Sequence, residues 1–253
     1  MSASTAYPEF VARFYDTVYA KIRTSIDHDF YVEETTRAQG SVLEVGVGTG
    51  RLFMEALRAG ADIYGLDASA TMIRTLQAKL DAKEKQRVSV ADVRDFTMDR
   101  RFALIVAPFR VFTHLRTVDE QLAALACIKD HLEPGGTLIL DVFNPDPVLC
   151  SQGRESTLDF DGEWAPGQRL KRFTTVVPDF MHQINHVTMR YVWDENGTTH
   201  DESWSFRVRY YFRFELEHLI YRSGLALETM YGGFDRTAFD ENSKELIAVC
   251  KSN

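Results

Sequence analysis

Three glycines at alternate positions, Gly46, Gly48 and Gly50, directly follow a short apolar run, and this pairing constrains the chain more than any other stretch. In Ser41-Val42-Leu43-Glu44-Val45-Gly46-Val47-Gly48-Thr49-Gly50-Arg51, the residues Val42, Leu43 and Val45 have the pattern of a buried strand. The glycines permit a sharp turn into a helix and let the backbone come close to a ligand at the strand's carboxyl end, where open α/β sheets bind nucleotides. A plain Gly-rich strand-to-helix turn would use the same residues without a ligand. Spacing separates the candidate ligands, because a dinucleotide fingerprint needs G-x-G-x-x-G and Arg51 stands at the third glycine position. A nicotinamide-dependent oxidoreductase is therefore the weaker reading of this loop.

Strands and helices alternate around the loop. Before it, Phe10, Val11, Phe14, Tyr15, Val18, Tyr19 and Ile22 recur at helical spacing, with Pro8 suited to a first turn. This amphipathic stripe serves as core, and Tyr15 and Tyr19, one turn apart, can also close over a ligand as a lid. A second helix is expected over 30–38, stopped by Gly40. Beyond the loop, Leu52, Phe53, Ala56 and Leu57 mark a helix, and 63–66 a strand closed by Asp67. An acid there, somewhat under about twenty residues past the glycines, is placed to accept both ribose hydroxyls of a nucleoside. Its plain alternative is a helix cap, although Ser69 is the better cap for the helix carried by Met72, Ile73, Leu76 and Leu80. A third strand, 88–91, ends in Asp92-Val93, a fourth is the buried-type run Phe102–Ala107, and Pro134-Gly135-Gly136 leads into a fifth.

With 45% hydrophobic residues, the chain can bury one full core and reads as a single domain with an insertion. A net charge of -8 with no basic run disfavours nucleic acid and anionic membrane surfaces and favours a small-molecule partner. Cys127, Cys150 and Cys250 lie far apart without a C-x-x-C pair, so neither a disulfide framework nor a zinc site is expected. No signal segment or membrane-length apolar run is evident, and a cytoplasmic location is expected. No His, Cys and carboxylate set has ligand spacing, so metal-free catalysis is expected.

Glu44 to Gly50, Asp67, Asp92, the strand ending at Ala107 and Leu132-Glu133-Pro134-Gly135-Gly136 together resemble, in order and spacing, the motifs of the class I S-adenosylmethionine-dependent methyltransferases. The resemblance covers 41–143 and the end of the chain, where a helix over 214–223 and strands over 225–230 and 245–249 look like that fold's last helix and antiparallel hairpin. It implies an α/β, Rossmann-like fold with a seven-stranded, mainly parallel sheet. The expected divisions are a helical lid over 1–40, a cofactor-binding core over 41–143, an inserted antiparallel sheet over 144–212, and the last helix and hairpin over 213–253. It also implies S-adenosylmethionine, or its product S-adenosylhomocysteine, along Glu44, Gly46, Val47, Gly48 and Gly50. Asp67 and Ala68 would then meet the ribose, Asp92 and Val93 the adenine, with Met72 and Ala107 beside them and Tyr15 and Tyr19 above.

The acceptor is less constrained. Pro108-Phe109-Arg110 departs from the Asn-Pro-Pro-Tyr type of signature with which some relatives of this fold grip a base amine or a glutamine amide, so those acceptors are disfavoured. Three β-prone stretches, 170–177, 181–193 and 199–211, with a hairpin signal at Asn196-Gly197, form the expected insert. It resembles the inserts of amino-sugar N,N-dimethyltransferases and glycine N-methyltransferase-like enzymes, and would roof the acceptor site. Forming a homodimer is its competing use, and the two are compatible.

Methyl transfer from a sulfonium is an in-line displacement, which requires alignment and exclusion of water. A hydroxyl acceptor also needs a base, whereas a neutral amine does not. His114, on the loop after the fourth strand, is the candidate base, and capping the next helix is its plain alternative. Arg110 can hold an acceptor carboxylate or phosphate, or sit in a surface ion pair. Phe112, Trp204, Arg209 and Tyr211, with His182, His186 and Arg207, are further candidates for the acceptor site, strand alternation leaving the face undecided. The expected activity is methylation of a nitrogen or oxygen on a small metabolite; a non-catalytic cofactor-binding module is a third reading.

Overall fold

Strand β1 (Val42–Val45) is buried at all four positions because it lies between two parallel neighbours with helices on both faces. The computed structural model describes residues 7–22 and 25–252. Around β1, the strands β2 (Ile63–Asp67), β3 (Val88–Val90), β4 (Phe102–Ala107), β5 (Leu132–Phe143), β10 (Leu225–Tyr231) and β11 (Glu245–Ser252) form a seven-stranded sheet in the order β10-β11-β5-β4-β1-β2-β3. Only β11 runs against its neighbours, pairing antiparallel with both β5 and β10. This is the expected mainly parallel sheet with an antiparallel terminal hairpin.

Side-chain alternation sorts the core into two layers. Leu43, Val45 and Ile105 pack with α5 (Val118–Asp130) and α7 (Arg213–Ser223) on one face. Val42, Leu104 and Val106 pack with α2 (Ile26–Arg37), α3 (Arg51–Arg58) and α4 (Ala70–Gln77) on the other. Ser69 caps α4, its hydroxyl accepting from the Met72 amide, which leaves Asp67 for other work. A short helix α6 (Pro147–Gln152), started by Asp146, leads from β5 into the insert.

The insert is a four-stranded antiparallel sheet, not three-stranded: β6 (Arg154–Ala165), β7 (Gln168–Asp179), β8 (Ile184–Glu195) and β9 (Thr198–Arg209), in chain order. The missed strand, β6, carries five charged residues among its twelve and pairs with β7 through register shifts, so it lacks an alternating signal. An edge strand tolerates that composition because one side faces water. Between β8 and β9, Asn196 and Gly197 both adopt positive φ, as the two central residues of a type I′ hairpin must. The inner face of this sheet packs Phe160, Leu170, Tyr191 and Trp193 against Val11, Phe14 and Val18 of α1 (Glu9–Ile22), which also contacts α4. No helix among the described residues is long and apolar enough to cross a membrane.

Candidate active site

A cavity of about 450 Å³ opens at the carboxyl ends of β1, β2 and β4, beneath α1 and the edge strand β9. Its floor is the glycine loop. Gly46 and Gly48 adopt positive φ, and a Cβ on Gly46 would overlap Val111, so side chains there are barred by both conformation and space. Asp67, closing β2, lines the cavity and accepts from the Gly48 amide at 2.9 Å and the Ser69 amide at 2.7 Å. Burial pushes its carboxyl above the usual range, and these two amides pull it partly back. Glu44 is 1% exposed, and its Oε2 has no hydrogen-bond partner among the described residues although the residue lines the cavity. Burial holds this carboxyl well above its ordinary value, against the pull of Arg51. An unpartnered buried oxygen beside a cavity is suited to a ligand that brings a donor.

Asp92 also lines the cavity, but Arg94 occupies it: the guanidinium donates at 2.9 and 2.5 Å and also reaches Glu120 at 2.9 Å. Hydrogen bonding to Arg94 accordingly lowers the Asp92 pKa. Above the loop stand Tyr15 and Tyr19, their rings 4.3 Å apart, with Tyr7 joining the lid to Trp204 of β9 at 4.5 Å. The lid is tied down through Asp16, which accepts from Thr49 Oγ1 at 2.5 Å and Lys79 Nζ at 2.6 Å. At the other end lie His114, Arg116, Trp204, Phe206, His186 and Arg207. Burial, with Arg116 adding to it, lowers the His114 pKa to about 4, so its imidazole is neutral at pH 7.

Most of the residues singled out in the sequence therefore meet at one cavity: Tyr15, Tyr19, Glu44, Gly46, Val47, Gly48, Asp67, Ala68, Met72, Asp92, Val93, His114 and Trp204. Seven others do not line it, Arg110 among them. Gly50 turns into α3 with a Cβ direction filled by Leu76, and Ala107 is fully buried in the core. Phe112 is 1% exposed, and Tyr211, fully buried, donates its hydroxyl toward the Phe112 and Leu115 carbonyls, so both hold the His114 turn from beneath. Arg209 binds Glu215, Gln183 and the Arg116 carbonyl. His182 is exposed and pairs with Asp179.

Arg110 is turned away from the cavity into a buried ion cluster with Glu245, Asp141 at 3.5 Å and Asp27 at 3.6 Å. Tyr31 donates to Asp141 at 2.6 Å from the same side. Three carboxylates thus share one guanidinium, and burial raises the Glu245 pKa to about 7. The folded state then holds this proton more tightly than the unfolded chain. The stability it contributes is complete below the ordinary value of about 4.5 and is lost as pH rises through about 7, by at most about 3 kcal/mol. Glu245→Gln, which mimics the protonated form, should therefore gain melting temperature relative to wild type between pH 5 and pH 8. A difference that stays constant across that range would refute the assignment.

Tyr7, Arg94, Arg116 and Phe206 line the cavity without having stood out in the sequence. Each lies within a few residues of one that did, on the same loop or strand, but no spacing rule marked it.

Sheet order, glycine loop and terminal acids define a Rossmann-like α/β fold, of the kind that binds nucleotides at the carboxyl ends of its strands. Residues 42–136 match the model of the methyltransferase domain family. A Streptomyces venezuelae dTDP-3-amino-3,4,6-trideoxy-alpha-D-glucopyranose N,N-dimethyltransferase is 33% identical over 111 residues, 44% of this chain and 45% of that relative, so the alignment spans about half of its length. A glycine/sarcosine N-methyltransferase from Aphanothece halophytica is 26% identical over 96% of this chain and 88% of its own. An S-adenosylmethionine-dependent methyltransferase structure from Clostridium acetobutylicum superposes with a TM-score of 0.77 at 14% identity, covering 96% and 97% of the two chains, and so shares the fold. Residues 42–136 are thus similar to the methyltransferase domain, and the chain as a whole shares the fold of S-adenosylmethionine-dependent methyltransferases. That cofactor fits the residues present: a side-chain-free cradle at Gly46 and Gly48, a carboxylate at the end of β2, and the unpartnered Glu44 oxygen, suited to an ammonium group.

Proposed function

We propose that this protein transfers a methyl group from S-adenosylmethionine to a nitrogen of a small metabolite, with oxygen as the second choice. The observation that carries the reading is one continuous cavity joining the glycine loop, Asp67 and Asp92 to His114 and Trp204. When bound, the cofactor supplies an electrophilic methyl group for in-line displacement. The roles of the chain are to bind and align. Gly46 and Gly48 offer backbone, Asp67 an acceptor for ribose hydroxyls, Glu44 a partner for an ammonium, and Asp92 with Val93 the wall for a base. Tyr7, Tyr15 and Tyr19 cover this half and exclude water.

Nitrogen is favoured by the state of His114. An imidazole with a pKa of about 4 is neutral at pH 7 but a weak base, which serves a neutral amine better than a hydroxyl that must lose its proton as the bond forms. The two curated relatives described above, both N-methyltransferases by name, support the same choice. His114→Ala should slow an amine acceptor by less than about tenfold, and a hydroxyl acceptor by about a hundredfold or more. The test is to incubate the enzyme with labelled methyl donor and matched amines and alcohols, then repeat with the variant. Transfer to alcohols alone, lost in His114→Ala, would reverse the choice. Neither a nicotinamide-dependent reaction nor a purely non-catalytic role has an observation in its favour.

We further propose a cytoplasmic protein without nucleic-acid or membrane partners, supported by three free cysteines and a net charge of -8. A homodimer through the inserted sheet is supported by Val177, Phe180 and Met181, which are 58, 63 and 85% exposed at its β7–β8 end. Sedimentation of wild type beside Met181→Asp, monomeric if this end is the interface, tests it.

A further inference from the structure

Four arginines line the cavity, and they differ in what holds them. Arg51 lies 3.6 Å from Asp27 and covers the Phe109 ring, and Arg94 bridges Asp92 and Glu120. Arg116 and Arg207 have no hydrogen-bond or ion-pair partner for their guanidinium groups among the described residues. Both belong to the end of the cavity away from the glycine loop. Arg116 follows His114 by two residues, and its carbonyl is held by Arg209 of β9 at 3.1 Å. Arg207 stands two residues before Arg209, on the same face of β9, so the strand carries it to the same corner. Across the β8–β9 pair its register partner is His186, which also lines the cavity. Glu120, which also lines the cavity, is spent on Arg94 and on the amides of Arg116 and Thr117.

Charge makes this arrangement informative. The chain as a whole carries -8, and its general field repels an acidic small molecule. Two unpaired guanidiniums at one corner of a partly enclosed cavity reverse that field locally, and a guanidinium's fork suits the paired oxygens of a carboxylate or phosphate. Trp204 and Phe206, stacked at 4.2 Å on the opposite face of β9, add apolar surface to the same cavity. We infer that the methyl acceptor is an acidic molecule whose carboxylate or phosphate is held by Arg116 and Arg207 while its reacting atom lies toward His114. This rests on the methyltransferase reading and adds the acceptor's charge class to it. It also transfers to Arg116 and Arg207 the anion-binding role for which Arg110 was the sequence candidate.

The test measures binding, so that it stays independent of finding the acceptor. Wild type, Arg116→Gln, Arg207→Gln and the double variant are each saturated with S-adenosylhomocysteine and titrated calorimetrically with inorganic pyrophosphate and, separately, with acetate. At least one anion should bind the loaded wild type, about tenfold more weakly to each single variant, and not measurably to the double variant. Arg116→Lys should keep part of the affinity, and added salt should weaken it. Pyrophosphate alone would identify a phosphate-bearing acceptor, and acetate alone a carboxylate. S-Adenosylhomocysteine itself should bind all four proteins within about twofold. If neither anion binds, or the double variant binds as well as wild type, the acidic acceptor is refuted and the cofactor reading stands. If S-adenosylhomocysteine fails to bind wild type, the methyltransferase reading falls first.

Discussion

Arg110→Met is expected to destabilise the fold by roughly 3–5 kcal/mol, because it removes the guanidinium that Asp27, Asp141 and Glu245 share in a buried cluster. That is a large share of the roughly 5–15 kcal/mol by which a domain is stable. Asp141 is fully buried and cannot turn to water, so the relief open to it is protonation. Without Arg110, which pulls the Glu245 pKa down, that carboxyl should titrate higher still, and the folded variant should hold a proton that the unfolded chain releases. Its deficit therefore shrinks as pH falls from 8 toward 5.5 and grows in the opposite direction. Urea unfolding followed by circular dichroism at both pH values checks this. An unchanged midpoint, with acceptor affinity lost instead, would return Arg110 to the acceptor site that its sequence position suggested.

Asp67→Ala should weaken S-adenosylhomocysteine binding by roughly 2–3 kcal/mol, the scale of charge-assisted hydrogen bonds lost from a buried carboxylate. Two effects contribute. The carboxylate is the proposed partner of the ribose hydroxyls, and it also braces the loop by accepting from the Gly48 amide. Asp67→Asn, which can still accept from that amide through its carbonyl, separates them by keeping the brace while removing the charge. Calorimetry on both variants should rank wild type above Asn and Asn above Ala. Equal affinity in all three would remove Asp67 from the site.

Much of this architecture was legible in the residues alone. Local chemistry set the glycine loop, since only glycine tolerates the backbone angles and the close approach of Val111 at Gly46. The apolar run from Phe102 to Ala107 marked β4 to the residue, and Asn196-Gly197 marked a hairpin that formed as written. Ser69 capped its helix as its position suggested, leaving Asp67 for the cavity. These signals are short-range and survive without knowledge of neighbours.

What needed the tertiary structure was direction. Arg110 and Arg116 are six residues apart on one connection, and nothing local distinguishes them. Arg110 is claimed by Asp141 of β5 and Glu245 of β11, more than thirty and more than one hundred residues further along, which meet only because β11 inserts antiparallel beside β5. Asp92 was readable as an acid after a strand, but its pairing with Arg94 and, through it, Glu120 of α5 depended on side-chain reach across the sheet's end. Strand β6 escaped notice because an edge strand is stabilised by its partner more than by its own pattern. Sequence by itself determined most of the elements and the glycine loop, because those rest on local backbone angles and apolar periodicity; which charged side chains face the cavity was decided by ion pairs between distant strands, which only the folded sheet brings together.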